Sequence, residues 1–391
     1  MALKRSRRIA VDLFCGAGGL SEGLRQAGFE TRLGLDIDPR ALATYSQNHP
    51  EAETALADIS TVSGKQLLRL ANIADVDLLA GGPSCQGFST HGKRIEDDPR
   101  NFLFKEFVRV VDEVRPKFFL MENVKGLLVY SKGRFKNLIE DAFDRIGYRV
   151  ASKTLCAADF GVPQLRHRVV FIGTRLSRAE LSFPSGTHSA ERSHGVEMSQ
   201  YVTVEDAIGD LPRLMSGRKN TRMEYVSAPT SEFQHYVREG AESAVTLHQA
   251  RGLSDQAAKI AKFVGQGEGL RAVPVAHLPQ RFKKMRRISN GALRRDCTTL
   301  YYRLHPARPA YTITCYYTNV ASGPFLHPWE DRCLSHREAA RLMSFPDHYQ
   351  FVAPSFPRQI GNAVPPLMAA AIGRHILGLL DMAELPRRRA A

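Results

Sequence analysis

Asp12-Leu13-Phe14-Cys15-Gly16-Ala17-Gly18-Gly19-Leu20 is the stretch that decides the fold of this chain. It closes an apolar run, Ile9 to Phe14, that reads as a buried strand, and it opens a helical pattern from about Ser21. A strand, a glycine-rich turn and a helix in that order bring backbone amides close to a ligand. The glycines tolerate close approach, and the helix N-terminus favours negative charge. Taken alone the turn also suits a dinucleotide, as in a NAD-dependent dehydrogenase, or a tight structural bend.

Working outward, Thr31–Ile37 reads as a second strand and Pro39–Asn48 as a helix with proline in its first turn. Val76–Ala80 is a third strand. Leu103, Phe107, Val110, Val111 and Val114 recur at helical spacing, the helix stops before Pro116, and Lys117–Glu122 is a further strand. This alternation predicts an α/β fold with a mostly parallel sheet and helices on both faces. Ligands then bind at the carboxyl ends of the strands. The second strand ends in Asp36-Ile37-Asp38, an acid placed for ribose hydroxyls. Asp58-Ile59 adds an acid beside an apolar surface, suited to an adenine amine and ring. Two acids around one nucleoside suit S-adenosylmethionine, which carries a sulfonium and an ammonium where a dinucleotide carries a pyrophosphate.

The pattern fades after about Leu181 and becomes regular again from Ser335, with helices predicted over Ser335–Met343 and Pro365–Leu380. The expected organisation is a first part of a catalytic domain at 1–182, an irregular domain at 183–330, and a hinge with a C-terminal return to the catalytic domain at 331–391.

The 391 residues carry 54 Lys and Arg against 40 Asp and Glu, a net charge of +14 that points to a polyanionic partner. Between 281 and 295 lie Arg281, Lys283, Lys284, Arg286, Arg287, Arg294 and Arg295 with no acid, the natural footprint of a DNA backbone. Cys15, Cys85, Cys156, Cys297, Cys315 and Cys333 are scattered and form no CxxC pair, so neither a zinc site nor a disulfide framework is supported. No apolar run is read as approaching the roughly 18–20 residues of a membrane span, and a soluble protein is expected. The basic Met1–Arg8 is not followed by the long apolar segment of a signal peptide. An unsecreted protein is expected, cytoplasmic and nucleoid-associated if microbial.

The third strand runs into Gly81-Gly-Pro-Ser-Cys-Gln-Gly-Phe-Ser89, a cysteine in a glycine-rich loop at the edge where active sites collect. A thiolate there is a nucleophile if a helix end or an arginine lowers its pKa. The next strand ends in Met121-Glu-Asn-Val124. Gln164-Leu-Arg-His-Arg168 then enters a strand at Val169–Gly173. A cysteine, a glutamate and two arginines at successive strand ends are hard to explain as structure alone.

These blocks, together with Arg308-Pro-Ala-Tyr-Thr-Ile-Thr314, the Leu334–Asp347 segment and Gln359-Ile-Gly-Asn-Ala-Val-Pro-Pro366, resemble the cytosine-C5 DNA methyltransferase family. The likeness covers about 8–175 and 300–375, and order and spacing agree throughout. It implies a Rossmann-like class I S-adenosylmethionine-dependent methyltransferase core with a smaller irregular target-recognition domain. It implies that Cys85 attacks C6 of an extruded cytosine and that Glu122 holds N3 and the exocyclic amine. Arg166 and Arg168 would contact the flipped base and steady the cysteine loop. Phe14, Gly16, Gly18, Asp36, Ile37, Asp58, Ile59 and Leu103 would line the S-adenosylmethionine site, with Asn362 and Val364 closing it, and Asn123 would be the structural asparagine beside the glutamate. Two positions depart from the family: Ser84 stands where proline usually precedes the nucleophile, and Asp36 where many members have glutamate.

The resemblance further implies double-stranded DNA as partner, a monomer, and a cognate restriction system as companion. The alternative within the same chemistry is an RNA (tRNA) cytosine-C5 methyltransferase. Thr314-Cys-Tyr-Tyr-Thr318 only faintly echoes that branch's Cys-Phe-Thr signature. A non-enzymatic binding relative is argued against by the intact Cys85, Glu122, Arg166 and Arg168.

Overall fold

The structure is a computed structural model that describes residues 7–84, 103–129, 134–190, 198–217, 222–278, 280, 282, 288–289, 292–293 and 299–385. The described chain divides into two compact units. The first holds residues 1–160, 167–186 and 363–391, and the second holds 161–166 and 187–362.

The first unit is built on one seven-stranded sheet. Its elements follow the expected alternation: β1 (Arg8–Leu13), α1 (Gly19–Ala27), β2 (Phe29–Asp36), α2 (Pro39–Asn48), β3 (Glu53–Leu56), α3 (Gly64–Leu70), β4 (Leu78–Gly81), α4 (Leu103–Val114) and β5 (Phe118–Val124). The single turn α5 (Gly126–Val129), α6 (Arg134–Arg145), β6 (Arg149–Cys156) and β8 (His167–Thr174) complete it. The spatial order is β3-β2-β1-β4-β5-β8-β6. The five strands from β3 to β5 are parallel, and β8 runs antiparallel between β5 and β6. The mostly parallel sheet expected from the alternation is therefore present.

Among the elements of this unit that lay outside the sequence reading are β3, β6 and α6. β3 has only Ala55 buried, and β6 is polar with only Leu155 buried. Edge strands of this kind lack both the apolar run and the clean alternation that mark a strand. The third, α6, has Ile139 and Phe143 as its buried residues. Phe143 stacks on Phe119 with ring centroids 3.9 Å apart, and Phe107 meets both edge-on, so the core is closed by aromatic contacts from β5, α4 and α6.

The C-terminal helix, Pro366–Glu384, packs on α1. A Cβ at Gly23 would lie 2.4 Å from Ala369 Cβ and from Pro366 O, so only glycine permits this approach. Phe356–Glu384 contains an 18-residue window of mean hydropathy 1.4, which qualifies by length and composition as a membrane span. The sequence reading passed over this stretch because no single run in it is unbroken. In the structure Met368, Ala369, Ile372, Ile376, Leu379 and Leu380 of the helix are buried in the protein's interior.

The second unit is less regular, with short helices and two-stranded ladders around its own core of Leu214, Ile260, Leu270, Phe282, Tyr301, Leu326 and neighbours. Residues 331–362, grouped by the sequence reading with the C-terminal return, cluster with this unit. Cys333 joins this unit's core, and buried polar contacts add to it. Ser335 and Glu338 form a reciprocal cap on the helix His336–Leu342. Buried Arg332 donates to Glu338 at 2.8 and 2.6 Å, and buried Arg341 binds Asp347 and Asp210. Burial by itself would raise the Glu338 pKa, but Arg332 and His327 bring it far below the usual carboxylate range. Removing one partner of such a pair strands a buried charge, which costs about 3–5 kcal/mol.

Candidate active site

At the carboxyl end of β1 the chain turns through left-handed backbone: φ is +59° at Phe14, +55° at Gly16 and +88° at Gly18, which caps α1. Cys15 N donates to Leu35 O at 3.0 Å and Gly18 N to Cys15 O at 2.9 Å, so the turn is tied to β2. Asp36, at the end of β2, completes the tie. Its Oδ2 accepts the Gly16 N–H and its Oδ1 the Asp38 N–H, both at 2.8 Å. Burial pushes the Asp36 pKa up, against the pull of the Asp38 and Gly16 amides.

Next to Asp36 two large aliphatic side chains face outward. Ile37 is 67% exposed, and Leu56, paired with Asp36 across β2 and β3, is 59% exposed. They supply apolar surface of the kind a purine ring covers. Leu56 was not foreseen, and its exposure in a leucine at a strand end is visible only in three dimensions. Phe14 and Leu103 pack against the main core, and Ile59 is buried within it. Asp58 stays exposed and accepts from Ser60 N at 2.9 Å and Ser60 Oγ at 2.8 Å, which lowers its pKa. Arg109 on α4 holds this turn by donating to Ile59 O at 2.8 Å and Val62 O at 3.1 Å. Nothing in the local pattern around Arg109 marks that role; it reads as a helix-surface partner of Glu106 and Glu113, which it also is.

The donor set at this edge suits S-adenosylmethionine. A Cβ added at Gly16 would meet nothing within 4 Å, so the glycine turn is open. Two carboxylates and exposed aliphatic surface stand beside it.

On β5 and β8 a carboxylate meets a guanidinium. Arg168 Nε lies 2.8 Å from Glu122 Oε1, and both side chains are 13% exposed. Because β8 is antiparallel, its first residues lie at the same sheet edge as the last residues of β5: Val124 pairs with Arg168 and Glu122 with Val170. Burial lowers the Arg168 pKa, and Glu122 works against that loss. Gly82 lies beside the pair, with its Cβ position 3.3 Å from Glu122 Oε2. Asn123, the residue after Glu122, donates from Nδ2 to Pro83 O at 3.0 Å and accepts the Val124 N–H at 2.8 Å. One strand end therefore presents a carboxylate and holds the segment that leads to Cys85. Cys85 itself lies outside the described residues, as do Arg281, Lys283, Lys284, Arg286 and Arg287.

Arg166 keeps different company from Arg168. It is 1% exposed in the second unit, and Nη1 donates to Ile313 O at 2.8 Å and Nη2 to Gly361 O at 3.0 Å. Two of its guanidinium nitrogens are thus committed to carbonyls rather than presented to a base. Asn362 ends the helix Phe356–Asn362 in the second unit and is exposed, whereas Val364 is buried in the first.

Residues 9–378 match the family model described as C-5 cytosine-specific DNA methylase. The Type II methyltransferase M1.HphI of Haemophilus parahaemolyticus is 39% identical over 94% of this chain and 86% of its own length. The Type II methyltransferase M.DdeI of Desulfomicrobium norvegicum is 36% identical over 94% of this chain and 88% of its own. Among solved structures, a DNA modification methyltransferase encoded within an E. coli prophage superposes with a TM-score of 0.74 at 26% identity, covering 96% of this chain and 99% of that one. The S. pombe Dnmt2 methyltransferase shares the fold at a TM-score of 0.54 and 18% identity, covering 97% of this chain and all of that one.

Proposed function

Because the chain belongs to the C-5 cytosine-specific DNA methylase family, we propose that it methylates C5 of a flipped-out cytosine in double-stranded DNA through a covalent bond between Cys85 and C6. The observation that carries this reading is the Glu122–Arg168 pair at 2.8 Å, set beside the Gly82-Pro83 segment that Asn123 holds.

When bound, S-adenosylmethionine supplies a methyl group on its sulfonium; Asp36, Ile37 and Asp58 would hold its nucleoside, beside the Gly16–Gly18 turn. The rest of the chemistry belongs to the protein. Cytosine C5 is a poor carbon nucleophile while the ring is aromatic. The Cys85 thiolate adds at C6, and the electron pair moves through the ring toward N3. Glu122 at N3 and the exocyclic amine compensates the charge that develops there. Arg168 fixes the Glu122 carboxylate and presents a cation to the same base. C5, now enamine-like, takes the methyl group; H5 leaves as a proton, its electron pair restores the C5–C6 double bond, and the Cys85 thiolate is expelled. Inside a duplex C5 and C6 are stacked away from any side chain, so the base leaves the stack first. Arg281, Lys283, Lys284, Arg286 and Arg287 serve as phosphate contacts in this reading. In this reading the protein acts in the cytoplasm alongside a cognate restriction enzyme; its relatives bear the name Type II methyltransferase.

Bisulfite sequencing of DNA from cells expressing the protein tests the activity and reports its sequence context. Duplex DNA carrying 5-fluorocytosine in that context should trap the wild type covalently in the presence of S-adenosylmethionine, because fluorine cannot leave as H5 does. Cys85→Ser should form no adduct; an adduct of normal yield would place the nucleophile elsewhere. Transfer to tRNA in preference to duplex DNA would overturn the choice of substrate.

A further inference from the structure

Gln164 and Arg166 form a clamp inside the second unit. They lie on and beside β7 (Gln164–Leu165), which pairs in parallel with Ala310–Tyr311. Gln164 Oε1 accepts the Ile313 N–H at 2.8 Å, and Arg166 Nη1 donates to Ile313 O at 2.8 Å. Both polar groups of one residue's backbone are therefore gripped by two side chains of the same short segment. Thr312 Oγ1 donates to Leu165 O at 3.0 Å on one side of Ile313. On the other, buried Tyr317 meets His336 Nδ1 through its hydroxyl at 2.6 Å. Arg166 Nη2 holds Gly361 O, and Gly361 backs the turn so closely that a Cβ there would lie 2.3 Å from Cys315 N and Thr314 C.

Out of this fixed frame projects Tyr316, 51% exposed. Arg358, also exposed, stands on the helix Phe356–Asn362, three residues before the Gly361 that packs against the turn. A buried guanidinium is costly to desolvate, and here the outlay fixes the geometry of one turn. A phenol on the turn and a guanidinium on the helix that backs it are groups that meet phosphate oxygens, and the chain is strongly basic.

We propose that Arg166 is a positioning residue, which holds the turn Ile313–Tyr317 so that Tyr316 and Arg358 contact the backbone of the DNA substrate. The inference rests on the DNA methyltransferase reading above and assigns Arg166 to substrate placement in the second unit, not to the extruded base. Lysine at 166 keeps the charge but cannot bridge two carbonyls in a planar fork.

The test is steady-state methyl transfer to mixed-sequence duplex DNA, with DNA and S-adenosylmethionine varied separately. Absence of transfer by the wild type would defeat the activity itself and is read from that enzyme alone. Arg166→Lys should raise KM for DNA about tenfold, the effect of losing one charged hydrogen bond. Its kcat and its KM for S-adenosylmethionine should stay within about twofold of the wild type, a negligible change on the same scale. Tyr316→Ala and Arg358→Ala sit at exposed positions and should keep the wild-type Tm. Each should raise KM for DNA, and Arg358→Ala should flatten the salt dependence of binding by about one unit. A fall in kcat with unchanged KM for DNA in Arg166→Lys would place that arginine on the base and overturn the proposal. Wild-type KM in both surface variants would overturn it too, and these two decide the matter if Arg166→Lys does not fold.

Discussion

Arg168 Nε meets Glu122 Oε1 at 2.8 Å across two antiparallel strands, two positions out of register: Arg168 stands opposite Val124 and Glu122 opposite Val170. The two are diagonal neighbours on one face of the sheet, the arrangement in which long side chains reach each other. A rigid sheet, not a loop, therefore sets the distance between the carboxylate and its cation. The pair is shielded from solvent, so each charge depends on the other.

That dependence predicts non-additive kinetics. Glu122→Gln and Arg168→Ala should each lower kcat by about 10²–10⁴, the range for a group acting on the proton inventory of the reaction. The double variant should be little worse than the poorer single one, because either change disables the unit. Single-turnover methyl transfer on duplex DNA measures this, and additive losses would show that the two side chains act separately.

Asn123 links the same strand end to the segment before Cys85 through Pro83 O. Asn123→Ala should slow covalent trapping on 5-fluorocytosine DNA by about 10–100-fold, the scale on which loss of positioning acts. Affinity for S-adenosylmethionine should be unchanged, since that edge is built from β1, β2 and β3. An unaltered trapping rate would mean that the loop is held by other contacts.

At the proposed cofactor edge, Asp36 accepts the Gly16 amide. Asp36→Ala should weaken binding of S-adenosylmethionine by about 1–3 kcal/mol, the range for a lost charged hydrogen-bond partner. Calorimetry in the absence of DNA reads this directly, and unchanged affinity or preferential binding of NAD would refute the assignment.

Asp12 predicts a pH effect on stability. It is fully buried on β1, accepts from Ser21 Oγ at 2.7 Å, and Ser21 Oγ lies 3.0 Å from Tyr45 OH. Burial lifts its pKa from 3.8 to about 7. Between those values the folded chain keeps a proton that the unfolded chain has lost. Stability from this group is thus present below about pH 4 and is lost as pH rises towards 7, at up to about 1.4 kcal/mol per pH unit. Asp12→Asn removes this share. Urea unfolding from pH 4 to 7 should give a flatter curve for the variant than for the wild type, and parallel curves would refute the prediction.

For the basic run, the salt dependence of duplex binding is diagnostic. Neutralising Arg286 and Arg287 together should flatten the slope of log K against log salt by roughly 1–2 units, weaken all duplexes alike, and leave S-adenosylmethionine affinity alone. An unchanged slope would make the run a solvated surface.

What the sequence determined by itself is the part of the fold written in local periodicity. Alternating apolar runs and helical spacing marked β1, β2, β4, α2, α4 and β5, and the glycines after β1 marked a turn with left-handed backbone. The order of the sequence blocks pointed to Cys85, Glu122 and the two arginines, and of these Glu122 and Arg168 lie together at one sheet edge. Tertiary structure decided what depends on pairing between distant segments. The direction of β8 is one such case, since a strand's own residues do not state which way it runs beside its neighbours, and only the antiparallel choice brings Arg168 to Glu122. The parting of Arg166 from Arg168 is another. Two residues apart in Gln164-Leu-Arg-His-Arg168, they look interchangeable in sequence, yet the chain passes from one compact unit to the other between them. The grouping of 331–362 with the second unit likewise draws on buried ion pairs such as Arg341 with Asp210, 131 positions apart. A buried charge is satisfied by whatever partner the fold brings to it, and no local pattern of residues encodes that partner's identity.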